Sequence, residues 1–126
     1  MDIDTKSRLA RINDSSVEAV AIRLRAAHKV TGYEKHGQLA EACGIKKTTL
    51  SNAMNAHNHP SIAVLSYLYR AHRIDFNFMM LGLFAQLPGD VQDALFPALQ
   101  DATREWDQKE NSNRNRAIPP AAQAQT

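Results

Sequence analysis

The sequence predicts an all-α protein made of several short helices. Apolar residues recur three and four positions apart in successive segments, which is the spacing of one face of a helix. Serine, aspartate and glycine residues flank these segments, where they favour the starts and stops of helices. The sequence lacks alternating apolar and polar runs bounded by Asn-Gly turns, which are typical of β-hairpins.

The first three predicted helices have recognisable ends. The stretch Ser15-Ser-Val-Glu18 is a capping-box sequence, and the helix behind it ends near Thr31-Gly32. A second helix is predicted from about Lys35 to Cys43, and Gly44 follows as its stop. A third is predicted to begin near Lys47 and to end by His57.

Two further helices have polar residues at their starts. Ser61 is the predicted cap of the fourth helix. Asp75 is the predicted cap of the fifth, which runs from Phe76 to Leu81 and is closed by Gly82. The residues predicted to face inward on the fourth helix are Ile62, Leu65, Leu68 and Tyr69.

A sixth helix is predicted to open at Asp90 and to continue to about Glu110. Pro97 falls inside its pattern, which predicts a kink or a division into two helices. The stripe either packs onto the rest of the chain or forms a dimer seam, and we favour a contribution to dimerisation. Its members are Val91, Leu95, Leu99, Ala102 and Trp106.

The two ends of the chain differ from the helical middle. Residues 1–14 form a predicted N-terminal arm, in which Leu9 and Ile12 belong either to a short extra helix or to a mobile segment. The cations of this arm either wrap phosphates or belong to a frayed terminus; they are Lys6, Arg8 and Arg11. Residues 111–126 are polar and low in complexity, which predicts a disordered tail. The main domain is then residues 15–83, followed by a helical extension over residues 84–110.

Charge is distributed unevenly along the 126 residues. The formal net charge is +2, but residues 1–83 hold eleven Lys and Arg against seven Asp and Glu, which is +4. Residues 84–126 hold four against six, which is −2. A basic domain with an acidic extension is compatible with nucleic-acid binding and equally with an ordinary protein surface. The single cysteine, Cys43, excludes an internal disulfide and a cysteine-based zinc ribbon, and it is interpreted as a small buried apolar residue.

The stretch from His36 to Asn55 is the most informative part of the chain. Its pattern predicts two helices that cross at a steep angle through a tight turn, with the small residue Ala40 at the crossing and Gly44 in the turn. Cations and short hydrogen-bonding side chains share the outer face of the second helix, without a carboxylate. That face consists of Lys46, Lys47, Thr48, Ser51, Asn52 and Asn55. Lysine bonds guanine and asparagine bonds adenine, so the face has the chemistry of a major-groove reader.

Three local motifs carry a resemblance to a known family. They are Leu39-Ala40-x-x-x-Gly44-Ile45 with Thr49-Leu50-Ser51, then Pro60-Ser61-x-x-x-Leu65, and then Phe78-Met-Met-Leu-Gly82. Together they make the span from about Val17 to Gly82 resemble the helix-turn-helix domain of phage-repressor-like regulators of the Cro/CI type, also called the xenobiotic-response-element type. The resemblance covers about half of the chain and implies a five-helix repressor-like domain.

The resemblance also implies roles for particular residues. The helix that begins near Lys47 would be the recognition helix, with its first turn and the Ser51–Asn52 turn directed at base edges. His36 stands where the family commonly has a glutamine that bonds a phosphate, so this contact would be sensitive to pH. No contact carries over at Ala53, where the family often has a tryptophan or a charged residue. Independently of the resemblance, the amides at the start of the Ser61 helix can hold another phosphate.

The sequence therefore predicts a sequence-specific DNA-binding transcriptional regulator that acts as a repressor. Its partners would be double-stranded DNA and a second copy of itself, because such domains usually read paired half-sites. The alternative is a protein-interaction module, antitoxin-like or a phage-encoded inhibitor, which the acidic helix at 90–110 and the tail that follows it motivate. The predicted DNA-binding residues are His36, Lys46, Lys47, Thr48, Ser51, Asn52, Asn55 and Ser61.

Other classes of function find little support in the sequence. No nucleophile with an adjacent base and no phosphate-cradling glycine loop is visible, so we expect no enzyme and no small-molecule substrate. His57 and His59 lack further ligands nearby, and loop histidines near phosphate explain them better than a metal; no cofactor is expected. The start of the chain has no apolar signal region and no run reaches the length of a membrane span, so we expect a cytoplasmic protein.

Overall fold

The computed structural model describes residues 1–117, and all of their regular structure is helical. The prediction of an all-α fold is therefore confirmed. Seven helices follow one another in this part of the chain: α1 (Ile3–Ala10), α2 (Val17–Thr31), α3 (His36–Cys43), α4 (Lys47–Met54), α5 (Ile62–His72), α6 (Phe76–Leu81) and α7 (Gly89–Ala117). None of the helices within residues 1–117 is both long and apolar enough to cross a membrane.

Side-chain caps fix the starts of α2 and α6. The Asp75 carboxylate accepts a hydrogen bond from the Phe78 amide at 2.9 Å, as predicted. The capping box predicted at Ser15 is wrong, because the N-cap of α2 is Ser16, whose hydroxyl accepts from the Ala19 amide at 3.2 Å. The reason lies in the turn just before the helix. The Asp14 carboxylate accepts a hydrogen bond from the Ser16 amide at 2.9 Å, so the chain does not enter the helix until Ser16.

Helix α2 lies at the centre of the core and packs along α7. The predicted stripe of α7 is buried within the same chain: Leu95, Leu99 and Ala102 are completely inaccessible and Trp106 is 7% exposed. The stripe therefore packs onto the domain and is not an exposed dimer seam. Helix α5 contributes its buried Val64 to the core. Ile62 (68% exposed) and Tyr69 (55% exposed) were predicted to face inward, and this prediction is wrong.

Helix α7 is longer than the sequence predicts. It runs without division through Pro97, whose ring lies on the exposed side of the helix. It also continues past Glu110, so residues 111–117 are helical and the prediction of a disordered tail is wrong for them. Their composition is polar, but no helix breaker occurs until Pro119, and the helix is already nucleated by its packed first half. The rest of the predicted tail, residues 118–126, lies outside the described residues.

The N-terminal segment is held in place by a buried arginine. Arg23 on α2 has no accessible surface, and it donates to the carbonyls of Ala10, Arg11 and Asp14 at 2.9, 2.5 and 2.7 Å. A fourth bond, 3.3 Å long, reaches the Met79 carbonyl on α6. Burial lowers the pKa of Arg23 to about 10, which leaves the guanidinium charged at neutral pH. Residues 1–14 thus join the core as α1 and a fixed turn, neither as a mobile arm nor as a frayed end.

Contacts with α7 also hold α1. Lys6 Nζ donates to Gln92 Oε1 at 3.3 Å and lies 5.1 Å from the centroid of the Phe96 ring. One of the three cations assigned to phosphate wrapping is therefore occupied inside the chain, whereas Arg8 remains exposed on α1.

Candidate nucleic-acid interface

Helices α3 and α4 pack together through a tight turn. Gly44 adopts the left-handed conformation, with φ of 75°, and its amide donates to the Glu41 carbonyl at 3.0 Å. The Ile45 amide then donates to the Ala40 carbonyl, also at 3.0 Å, which closes the end of α3. Buried Leu39, Ala40 and Leu50 fill the space where the two helices meet. The sequence predicted this turn at Gly44 and the small residue Ala40 at the crossing.

The outer face of α4 is open to solvent. Lys46, Lys47, Thr48 and Asn52 are exposed and Ser51 is half-buried, so five of the predicted site residues lie on one surface. Thr49 is also exposed there, although the sequence singled it out only as part of a motif. The surface can present hydrogen-bond donors, acceptors and methyl groups to a partner whose planar groups expose their edges.

A longer pattern of charge in the sequence, which the motifs did not reveal, also includes α4. From Ala42 to Ile74 the chain contains no Asp or Glu, whereas it contains Lys46, Lys47, Arg70 and Arg73. This run of 33 residues spans α4, the loop behind it and α5. Arg73 pairs with Asp90 on α7, but among the described residues no carboxylate lies within ion-pair distance of Lys46 or Lys47, so the face of α4 is suited to an anionic partner.

The starts of α4 and α5 have amides without a side-chain cap. Lys46 is the N-cap of α4 and, as a lysine, cannot accept a hydrogen bond. Ser61 is the N-cap of α5, yet its hydroxyl makes no cap hydrogen bond and is buried without a partner among the described residues. Free amides at a helix start favour an anion, in keeping with the prediction for Ser61.

His36 lies at the start of α3, next to α4. Its ring packs edge-on against His28 with centroids 5.0 Å apart. Burial, together with the charges of Arg25 and Lys47, lowers the pKa of His36 below its ordinary value of 6.5. The Lys47 stem also passes along the first turn of α3, because a Cβ placed on Gly37 would lie 3.7 Å from Lys47 Cδ. Lys47 therefore lies close enough to the start of α3 for its charge to act on the His36 imidazole.

Asn55 is separate from this surface. Its Oδ1 accepts from Arg25 at 2.9 Å and from Lys109 at 2.6 Å, and its Nδ2 donates to the Ser51 carbonyl at 2.9 Å. The amide is engaged inside the chain, at the point where α4, α2 and α7 meet. We therefore leave Asn55 out of the reading face that the sequence assigned to it. No local pattern could have revealed the partnership with Lys109, which is 54 residues away.

The remaining candidate site residues, His57, His59 and Cys43, have ordinary structural explanations. His59 Nε2 lies 2.7 Å from the Ser15 carbonyl oxygen, and His57 is exposed in the loop after α4. Within residues 1–117 no three His, Cys, Asp or Glu side chains come close enough to hold a metal ion. Cys43 is half-buried, and burial raises the pKa of its thiol, which therefore stays protonated at neutral pH.

The chain matches no family model, and comparisons with curated proteins and with solved structures found no match either.

Proposed function

We propose that this chain is a sequence-specific DNA-binding regulator that reads the major groove of double-stranded DNA with α4. The observation that carries the proposal is the outer face of α4, where Lys46, Lys47, Thr48 and Asn52 are exposed together on a helix fixed by its packing against α3. An exposed helix of this composition on a rigid support suits the groove in size and in chemistry. In this proposal α2 to α6 form a repressor-like helix-turn-helix domain.

The proposed contacts divide into two kinds. Lys47 and Asn52 are the base-reading candidates, because an ammonium can donate to guanine O6 and N7, and an amide can pair with adenine N6 and N7. Lys46, His36 and the start of α5 are the phosphate candidates, because an ammonium, an imidazole and uncapped helix amides can each donate hydrogen bonds to an anion. Phosphate contacts would fix the register of α4 on the duplex, and base contacts would supply the preference for sequence.

The proposed biological role is repression by a homodimer. Two copies of one reading helix bind paired half-sites about one helical turn apart, which predicts an operator with approximate two-fold symmetry. Occupation of such a site would block access of other proteins to the same DNA. The supporting argument is the small size of the reading face, since one short helix reads only a few base pairs.

Selection from a library of random duplexes tests the proposal. The full chain should enrich one short sequence motif, arranged as an inverted repeat, and should bind it about a thousandfold or more tighter than random duplex at physiological salt. Affinity should fall steeply with salt because bound phosphates release counterions. Recovery of no motif, with equal affinity for all duplexes, would contradict the proposal.

A protein-interaction module remains the second candidate. A specific observation favours it: the cleft between the turn after α1, α2 and the end of α7 has charges of both signs beside the largely buried Trp106 ring. The cleft is lined by Arg11, Glu18, Ile22, Trp106, Asp107, Glu110, Asn111 and Arg114. Purification from the native host after nuclease treatment separates the candidates, since a stoichiometric protein partner that survives the treatment would favour the second.

A further inference from the structure

A single amide side chain connects the end of α4 to α2 and α7. Asn55 is the C-cap of α4, and its oxygen accepts from Lys109 Nζ at 2.6 Å and from an Arg25 Nη at 2.9 Å. Arg25 also donates through Nε to the Met54 carbonyl at 2.8 Å, which satisfies one of the orphan carbonyls of the helix end. The last turn of α4 is therefore held from outside by two cations, at the end of the helix that favours positive charge.

Trp106 fixes the positions of both cations. The ring is 7% exposed, and its centroid lies 5.3 Å from the Arg25 guanidinium carbon and 5.1 Å from Lys109 Nζ. The attraction of each cation to the ring and to the Asn55 oxygen offsets the repulsion between the two like charges. We call Arg25, Asn55, Trp106 and Lys109 the α7 clamp.

The clamp acts on the same turn that carries part of the reading face. Asn55 Nδ2 donates to the Ser51 carbonyl at 2.9 Å, and the His57 amide donates to the Asn52 carbonyl at 2.9 Å. Helix α4 has only eight residues, and a helix so short depends on tertiary contacts for its order. The position of Ser51 and Asn52 therefore depends on what holds the end of α4.

We propose that α7 is a working part of the reading apparatus, in which the α7 clamp holds the last turn of α4 where Ser51 and Asn52 face the DNA groove. Lys109 is then a positioning residue, which acts through Asn55 and touches no DNA. The consequence for DNA rests on the function proposed above, whereas the mechanical consequence for α4 does not. This assigns the acidic extension a role in reading sequence that its charge alone does not suggest.

The variant Lys109→Met tests the clamp in the full chain. Methionine keeps an apolar stem against Trp106 but removes the ammonium that reaches Asn55. The matched control is Lys29→Met, which also removes one positive charge and one contact between α2 and α7, the 2.8 Å ion pair with Glu105, but touches nothing on α4. Lys109→Arg keeps a donor and should restore the wild-type behaviour.

Two measurements are needed. Hydrogen exchange without DNA should be at least about threefold faster in Lys109→Met at the amides of residues 55–57, with the rest of the core unchanged. The ratio of affinities for the selected site and for random duplex should fall at least about threefold, while the dependence of affinity on salt keeps its slope. Lys29→Met should change neither quantity.

Each possible result of these two measurements has a distinct meaning. Unchanged exchange in Lys109→Met relative to Lys29→Met would overturn the clamp, and faster exchange with an unchanged affinity ratio would overturn its role in reading. If Lys109→Met lost the same affinity for all duplexes and its affinity depended less steeply on salt, Lys109 would contact phosphate directly. That result also overturns the positioning role. If the wild-type chain prefers no sequence, the function proposed above and the reading role of the clamp both fail; the exchange measurement still decides whether the clamp holds α4.

Discussion

The Arg23 guanidinium lies directly against the backbone of Gly82. A Cβ placed on Gly82 would come within 2.9 Å of Arg23 Nη2 and would overlap the Ala10 carbonyl oxygen. The glycine that ends α6 thus leaves room for the buried arginine to reach the end of α1. Three segments distant in sequence are tied together at this point, and the first two predictions concern it.

Removal of the Arg23 donors should destabilise the protein strongly. In Arg23→Met, the carbonyls of Ala10 and Met79 lose a buried donor, and that of Asp14 loses a part-buried one. The Arg11 carbonyl also loses its bond to Arg23 but keeps the Asp14 amide, at 3.0 Å. Each buried acceptor left unpaired costs about 1–3 kcal/mol, so with two of them we expect the free energy of unfolding to fall by at least about 2 kcal/mol in urea denaturation. The control Arg70→Met, at an exposed arginine of α5, should stay within about 0.5 kcal/mol of wild type. A loss as small as that in Arg23→Met would contradict the account.

A comparison of two glycines distinguishes the cost of backbone strain from the cost of a lack of space for a side chain. Gly82 and Gly32 both have positive φ, 72° and 81°, but a Cβ on Gly32 would meet nothing within 4 Å. Alanine at either position bears the left-handed penalty of about 1–2 kcal/mol. Gly82→Ala must also displace the Ala10 backbone, so its free energy of unfolding should fall further than that of Gly32→Ala, by at least about 1 kcal/mol. Equal losses would mean that the space around Gly82 is not limiting.

The apolar stripe of α7 should contribute to folding and not to dimer formation. Leu99 is completely buried within its own chain. Leu99→Ala should therefore lower the free energy of unfolding by about 2–5 kcal/mol and leave the molar mass in light scattering unchanged at matched concentration. Gln100→Ala, at the next and exposed position, serves as the control. Dissociation of a dimer with little loss of stability in Leu99→Ala would reinstate the stripe as an interface.

Local signals predicted much of this fold. Gly44 and Asp75 mark a helix end and a helix start through their own backbone or side-chain chemistry, which needs no knowledge of the rest of the chain. Asn55 shows the limit of such signals. Its side chain looks like part of a polar face, and only the three-dimensional approach of Arg25 and Lys109 reveals that its amide is already bonded.

The burial of Arg23 was not predicted, although the sequence contains a signal for it. Position 23 lies three residues after Val20 and four before Ala27, so it falls inside the apolar stripe of α2. A charged residue on an apolar face needs internal partners, which is a prediction that the sequence supports. The partners themselves were out of reach, because they are backbone carbonyls of α1, the following turn and α6, whose positions depend on packing.

Stability and DNA affinity should respond to pH in opposite directions. Burial is the main cause that lowers the pKa of both His28 and His36 below 6.5, so the unfolded chain takes up protons at a higher pH than the folded one. The free energy of unfolding should therefore decrease as pH falls through about 6.5 towards the lower folded pKa values, since the folded state binds fewer protons in that range. Urea denaturation at about pH 7.5 and about pH 5.5 measures this change.

A phosphate beside His36 would raise the pKa of the bound imidazole, so DNA affinity should increase over the same fall in pH. His36→Gln keeps a hydrogen-bond donor but cannot take up a proton, and it should flatten the pH dependence of affinity at fixed ionic strength. An unchanged slope in fluorescence anisotropy with His36→Gln would place the titrating group elsewhere.

The most direct test of the central claim is the base preference of Asn52→Ala and Lys47→Ala, measured beside wild type. Affinities are determined for the selected site and for every single-base change in it, at one salt concentration, with Arg104→Ala on α7 as the control for loss of charge. We expect at least one of the two α4 variants to lose about 1 kcal/mol or more of binding free energy for the selected site, with the loss concentrated at one or two base pairs. Arg104→Ala should retain the wild-type preference at every position. Wild-type affinity and wild-type base preference in both α4 variants would contradict the assignment of α4 as the reading helix.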